Sequence, residues 1–162
     1  MKRILGLLLS ATLVTGLVAA PSATAAKSPN LVQVAASDKQ FSTLVRLVRA
    51  AGLVRALSGS AKLTVLAPTN AAFAKVPKRT LNALAKDRRA LRRVLLYHVL
   101  RGAVPARTVV TLRSAPTLAG PDISIRVKGR SVFVNDAKVI KTDVKASNGI
   151  IHVINRVLLP PQ

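Results

Sequence analysis

The sequence has no cysteine, no tryptophan and no glutamate, and aromatic side chains make up only 2% of its 162 residues. The absence of cysteine excludes disulfide bonds, thiolate metal sites, a cysteine nucleophile and a lipid-modified cysteine. The scarcity of aromatic residues argues against a surface that binds single-stranded nucleic acid by base stacking. Stability must therefore come from a hydrophobic core, which a domain of this length can supply.

Residue patterns of catalysis are also missing. The five acidic residues are all aspartates, and no two are spaced as a carboxylate pair for acid–base chemistry. Ser147 precedes His152 by five residues, but nothing resembling a nucleophile elbow surrounds it, and no glycine-rich phosphate loop is present. His98 and His152 lack metal-ligand spacing. We expect no catalytic activity, no cofactor and no metal.

The first 25 residues have the pattern of a secretory signal peptide. Lys2 and Arg3 precede an apolar run, Ile4–Ala20, and small residues including Ala23 and Ala25 follow it. A retained membrane anchor is the alternative, although the run is short for a span. We predict cleavage after residue 25, a linker at 26–30 and one domain at 31–161. No transmembrane segment is expected after cleavage, so the predicted location is periplasm, cell surface or medium.

The charge is strongly one-sided: 26 lysines and arginines against five aspartates give a net charge of +21. The resulting positive electrostatic field attracts polyanions, and the salt concentration sets the distance over which the attraction acts. Anionic wall polymers, lipid headgroups, acidic polysaccharide and extracellular DNA are candidate partners. A basic but merely solvated surface explains the same composition equally well.

The first half of the chain has the periodicity of helices. Phe41, Leu44, Val45 and Val48 recur on one helical face, and Gly52 ends the pattern. A later segment predicts a helix from Arg88 to Leu100, capped by Asp87. Its apolar face carries Leu91, Val94, Leu95 and His98. Its opposite face, together with the residue before the cap, forms one predicted basic ridge of Lys86, Arg88, Arg89, Arg92 and Arg93.

Between these helices, a short buried strand is predicted at Leu63–Leu66, before Pro68. Thr69 or Asn70 can cap the short helix that follows, which would place Phe73 in the core.

The second half has the patterns of strands. Ile123, Ile125 and Val127 alternate with polar residues, and Val132–Val134 follows a Gly turn as a hairpin partner. Val139–Ile140 predicts another short strand. Asn148-Gly149 predicts a turn, because both residues tolerate positive φ, and Ile150–Leu159 predicts a strand covered on both faces. Helices followed by strands predict an α+β domain.

Three blocks together resemble the fasciclin domain family. They are Leu63–Phe73 (LTVLAPTNAAF), Leu95–Leu100 (LLYHVL) and Ala146–Ile154 (ASNGIIHVI), with VLLP shortly after the third. The resemblance implies an α+β wedge, a twisted β-sandwich flanked by several small helices. It also implies a secreted adhesion module that contacts protein or glycan without catalysis, and we expect a monomer. A nonspecific polyanion binder remains the alternative function.

The resemblance also points to two pairs of residues that match partner-contact positions of animal members. These pairs are Tyr97-His98 and Asp143-Val144, the second departing from the family's Asp-Ile. Integrin binding is not carried over to this chain. Packing roles are the main prediction for Tyr97, His98 and His152, because the histidines lie on predicted apolar faces. Tyr97 at the edge of a partner groove is the alternative.

Overall fold

A computed structural model describes residues 27–161 of the chain. The predicted signal peptide, residues 1–25, lies outside the described residues. Within them, no helix has the length and apolarity that crossing a bilayer requires.

Seven α-helices and one 3₁₀ turn, Lys39–Phe41, occur in the described residues. The helices are α1 Leu31–Ser37, α2 Ser42–Ala50, α3 Val54–Ser58, α4 Asn70–Ala74, α5 Lys78–Lys86, α6 Arg88–Tyr97 and α7 Ala106–Val109. The strands are β1 Leu63–Pro68, β2 Val99–Arg101, β3 Ser114–Pro116, β4 Asp122–Lys128, β5 Ser131–Val134, β6 Ala137–Ala146 and β7 Gly149–Ile154.

The strands form one curled sheet in the order β2-β1-β7-β6-β5-β4-β3. Only the β1–β7 pair is parallel, and the other pairs are antiparallel. An isolated bridge between Leu100 and Thr117 joins β2 to the segment after β3, so the two edges of the sheet nearly meet. The result is the predicted α+β wedge, with helices packed on one side of the β1–β7 centre.

Two hydrophobic clusters fill the wedge. The larger one lies between α1, α2, α3, α6 and the β1–β7 centre, and includes Phe41, Leu53 and Ile151. The smaller one lies inside the curl of β4, β5 and β6, and includes Ile123 and Leu158. Strand β7 therefore has apolar side chains packed against both of its faces, as predicted.

The helix predicted over 88–100 ends earlier than expected. It stops at Tyr97, and Val99–Arg101 forms strand β2, paired with β1 from Leu63↔Arg101 to Val65↔Val99. The apolar run that suggested a longer helix is buried as a strand instead, because pairing with β1 satisfies its backbone groups. The strand predicted over 150–159 is also shorter, ending at Ile154.

Helices α1 and α5 were not predicted as separate elements. Asn30 caps α1: its side chain accepts from the Gln33 backbone N–H, and the Gln33 side chain accepts from the Asn30 N–H, which completes a capping box. Helix α5 has no fully buried residue.

Gly149 is required for a different reason from the predicted one. Its φ is not positive, because the positive-φ glycines are Gly52, Gly102, Gly120 and Gly129. A Cβ at Gly149 would clash with the carbonyl oxygen of Leu63 on the neighbouring strand. The parallel contact between β1 and β7 therefore leaves no room for any side chain at this position.

Candidate functional site

Asn148 links three distant segments. Its Oδ1 accepts from the backbone N–H of Leu31 at 2.9 Å, and its Nδ2 donates to the carbonyls of Leu57 at 2.8 Å and Gly59 at 3.0 Å. The side chain is buried, and all three partners are backbone groups. Asn148 thus holds the start of α1 and the end of α3 against the β6–β7 turn. These contacts are structural ones, and they could not be read from the sequence.

His98 is a buried, neutral histidine. Its Nδ1 lies 2.8 Å from the carbonyl of Val94, and its Nε2 accepts from the backbone N–H of Leu158 at 2.9 Å. Because Nε2 accepts, Nδ1 carries the ring proton and donates to Val94. Burial lowers the pKa of His98 from 6.5 to about 4, against a smaller raising effect of the Val94 hydrogen bond. The ring thereby joins the end of α6 to the C-terminal segment.

His152 has the opposite arrangement of ring nitrogens. Its Nδ1 accepts from the backbone N–H of Asp143 at 3.3 Å, and its Nε2 lies 2.8 Å from the carbonyl of Val104. Nε2 is therefore the protonated nitrogen. The N–H of the same Val104 donates to Thr64 Oγ1 at 2.8 Å, and that hydroxyl donates to Gly102 at 2.7 Å. Thr64 and His152 together hold the loop after β2 onto the sheet.

Tyr97 is also buried in the interior. Its hydroxyl donates to the carbonyl of Asp122 at 3.2 Å and accepts from Asn135 Nδ2 at 3.0 Å. Asn135 has a positive φ of 51°, and its Oδ1 accepts from the Ser124 N–H at 2.8 Å. The tyrosine therefore fixes the turn between β5 and β6 and the start of β4.

The Tyr97-His98 pair offers no surface to a partner in this structure. The two side chains are 3% and 2% exposed, and each bonds to the protein's own polar groups. The alternative that placed Tyr97 at the edge of a partner groove requires exposure that the structure does not provide. Partner contact through this pair is therefore corrected to a packing role.

The Asp143-Val144 pair is divided between surface and core. Asp143 is exposed, with φ 56°, beside a register shift in β6, and its Oδ1 accepts from the N–H of Ala106 at 2.9 Å. Val144 is half-buried against the larger cluster. Of the four predicted partner-contact residues, Asp143 alone is exposed.

Residues of the first block lie at helix caps and in the core. Thr69 caps α4, its Oγ1 accepting from the Ala72 N–H at 3.2 Å, and Phe73 is buried. Asn70 serves a different helix: its Oδ1 accepts from the Thr43 N–H at 3.0 Å. Pro68 ends β1 within the core.

The predicted basic ridge consists of two i, i+4 pairs of arginines, and each pair has its own neighbouring segment. Arg92 Nη1 donates to the carbonyl of Ala51 at 3.1 Å, at the end of α2, and the Arg88 guanidinium lies over Gly52. Arg93 points elsewhere, its Nη2 donating to the carbonyl of Pro161 at 3.1 Å, and Arg89 lines the same side. Successive residues are about 100° apart on a helix, so each i, i+4 pair lies on its own side of α6. Each pair therefore contacts a different neighbouring segment.

Lys86 lies outside α6, as the last residue of α5. Between it and Arg88 the carboxylate of Asp87 accepts from the N–H groups of Arg89 and Ala90 at 2.9 and 3.1 Å. All five cations are exposed. Within residues 27–161 the recorded ion pair is Arg126–Asp136, at 3.9 Å, so the α6 arginines have no carboxylate partner there. Their positive charge is available to an external anion.

No group of three metal-ligating side chains occurs among the residues that the structure describes. The arrangement is that of a small α+β wedge in which the polar interior ties backbone segments together and the cations face outward.

Residues 39–160 match the sequence profile of the Fasciclin domain, and the chain belongs to this family. It is 47% identical over 133 residues to the protein sll1483 of Synechocystis sp., which covers 81% of this chain and 73% of that protein. It is 38% identical over 132 residues to the transforming growth factor-beta-induced protein ig-h3 of Sus scrofa. That alignment covers 81% of this chain and 19% of that protein.

A solved FAS1 domain pair from the insect cell adhesion molecule Fasciclin I has the same fold. The TM-score is 0.59 at 21% identity, with 75% of this chain and 46% of that chain covered. Members of the family are adhesion or binding modules.

Proposed function

We propose that the protein acts outside the cytoplasmic membrane as a non-catalytic adhesion module that contacts protein or glycan. The family supports this function, since its members are adhesion or binding modules. The signal-peptide pattern of residues 1–25 supports the location. The observation that carries the proposal is the outer surface of α6, where four exposed arginines lie without a carboxylate partner among the described residues.

An anionic glycan or wall polymer fits this surface for a physical reason. Arg88 and Arg92, and Arg89 and Arg93, are like-charge i, i+4 pairs, each costing about 0.2–0.5 kcal/mol. A polyanion relieves both repulsions at once. The floor between Arg89 and Arg93 is apolar, formed partly by Leu84, Val94 and Leu159. A sugar ring could rest on that floor while its sulfate, phosphate or carboxylate groups bind the guanidinium groups.

The second candidate function is nonspecific polyanion binding by the whole basic surface. The net charge of +21 and the small number of aspartates favour it. It differs from a local site because every cation would then contribute in proportion to its charge.

One comparison of variants distinguishes the local α6 site from nonspecific polyanion binding. The variant Arg88→Gln, Arg89→Gln, Arg92→Gln, Arg93→Gln is compared on heparin and teichoic-acid resins with a charge-matched variant. The matched variant removes four exposed cations from the β4–β6 region: Lys128→Gln, Arg130→Gln, Lys138→Gln, Lys141→Gln.

A local α6 site predicts that the first variant elutes at much lower salt than the wild type and the matched variant close to the wild type. Equal shifts in both variants indicate nonspecific binding by net charge. An unchanged elution position of the α6 variant contradicts the proposed site.

A further inference from the structure

A cavity of about 280 Å³ lies beneath α5, between α2, α4 and α6. Its walls come from the apolar sides of these helices and from the C-terminal segment. They include Phe73, Leu91, Val94, Leu95 and Val157. An apolar cavity of roughly 150 Å³ stays dry and binds benzene, and ordinary small-molecule sites begin near ~300 Å³. The cavity, at about 280 Å³, is therefore large enough for a medium-length aliphatic chain.

The buried polar side chains of the described residues require no water from the cavity. No buried side-chain nitrogen or oxygen of the described residues lacks a hydrogen-bond partner. His98, which contributes to the wall, uses both ring nitrogens on backbone groups. Water against the apolar walls, away from Thr43, Arg46 and Asn82, would lack the two to four polar partners that hold an internal water in place. An apolar occupant suits the cavity better than water does.

Helix α5 forms a roof that can adjust. It is amphipathic, yet none of its residues is fully buried, and Leu81 and Leu84 are only half-buried where they line the cavity. A helix with so little buried surface opens at low cost compared with the core. The roof therefore provides an entry route that leaves the β1–β7 centre undisturbed.

The charge at the cavity is positive. Arg46 of α2 is the only charged residue in the lining, together with the polar residues Thr43 and Asn82. Arg46 is exposed, and the one ion pair recorded for residues 27–161 does not involve it. None of the five aspartates lines the cavity. A guanidinium beside an apolar cavity complements an anionic head on an apolar chain.

We propose that this cavity binds a medium-chain aliphatic carboxylate, with the alkyl chain beneath α5 and the carboxylate at Arg46. The headgroup remains at the exposed end, so the anion is not buried. This site is separate from the outer surface of α6 and does not depend on the proposed adhesion function. Decanoate is a suitable probe, used below its micelle concentration.

The first test titrates decanoate into the mature chain by calorimetry and methyl NMR. The expected result is saturable one-to-one binding, with shifts at Leu81, Leu84, Leu91 and Val157. Arg46→Gln should raise the Kd about tenfold by removing a charge-assisted hydrogen bond. Arg49→Gln is the matched control, an exposed arginine of the same helix that does not line the cavity, and its Kd should stay within about twofold of the wild-type value.

The second test fills the cavity. Ala85→Phe introduces a ring from α5 without removing a buried contact, since Ala85 is an exposed lining residue. Loss of decanoate binding with an unchanged or raised Tm supports the site. Decanol should bind the wild type more weakly than decanoate does. Because decanol carries no charge, it should bind Arg46→Gln as well as it binds the wild type. Absence of saturable binding, or equal Kd values for wild type and Arg46→Gln, overturns the proposal.

Discussion

The inner and outer faces of α6 use polar side chains in opposite ways. On the inner side, His98 and its neighbour Tyr97 are buried, and their polar atoms bond to segments distant in sequence. On the outer side, Arg89 and Arg93 are exposed and lack carboxylate partners among the described residues. The difference separates residues that specify the fold from residues left free for contact. Substitutions inside should change stability, and substitutions outside should change binding.

The largest effect is expected at Gly149. Gly149→Ala places a methyl group against the Leu63 carbonyl, so the β1–β7 pair must separate. We expect a loss of about 4 kcal/mol or more in unfolding free energy, measured by urea denaturation. Gly59→Ala is the control, since its nearest neighbour would be at an ordinary 3.6 Å and its φ is −69°. Equal stability of the two variants would contradict the close-approach explanation.

The next effect is expected at Asn148. Asn148→Ala removes three hydrogen bonds and leaves Leu31 N–H and the Leu57 and Gly59 carbonyls without them. We expect about 3 kcal/mol of destabilisation by urea denaturation, given about 1–3 kcal/mol for each buried group left unpaired. Asn155→Ala removes one exposed bond to Lys138 N–H and should cost about 1 kcal/mol or less. A loss at Asn148 no larger than at Asn155 would show that Asn148 does not hold the three segments together.

The third effect concerns pH. The pKa of His98 is about 4 in the folded chain, against 6.5 when unperturbed, so the unfolded state binds the proton more tightly. Stability should therefore fall as pH decreases from about 6.5 to 4, and His98 should add nothing to the pH dependence above 6.5. From pH 7 to 4.5 the expected loss is about 2–3 kcal/mol.

His98→Gln tests this assignment. The variant is less stable at neutral pH, because the Leu158 N–H loses a well-placed acceptor. Its stability should change less between pH 7 and 4.5 than that of the wild type. Parallel pH curves for the two proteins would assign the dependence to the aspartates instead.

The smallest effect on stability is expected on the outer face. Neutralising Arg88, Arg89, Arg92 and Arg93 removes two repulsive i, i+4 pairs, a part-buried hydrogen bond to Ala51 and an exposed one to Pro161. These changes oppose one another, so the unfolding free energy should stay within about 0.5 kcal/mol of the wild-type value. Denaturation at low and moderate salt checks this. A loss of several kcal/mol would make the arginines part of the fold.

Local sequence signals predicted much of the fold. The periodicity around Leu44 and Val48, the cap at Asp87 and the alternation over 123–127 each correspond to observed elements. The capping box of Asn30 and Gln33 was a readable signal for α1 that the sequence analysis did not use. Helix α5 gave a weak signal, because it buries no residue fully.

Tertiary contacts determine the features that local sequence signals did not predict. Pairing with β1 converts Val99–Arg101 from predicted helix to strand, and the approach of Leu63, not φ, fixes Gly149. The sequence identified the α6 cations and their i, i+4 pairs, but the contacts of Arg92 with Ala51 and of Arg93 with Pro161 came only from the structure. The cavity beneath α5 depends on how four helices and the C-terminal segment meet, which no single segment encodes.

The most direct test of the difference between the two faces is backbone NMR during titration with a heparin oligosaccharide. The account predicts salt-sensitive shifts concentrated at residues 88–93 and the adjoining C-terminal segment, with the amides of Asn148 and His152 unchanged. Shifts spread evenly over all basic surfaces, or concentrated at Tyr97, Asn148 and His152, would contradict it.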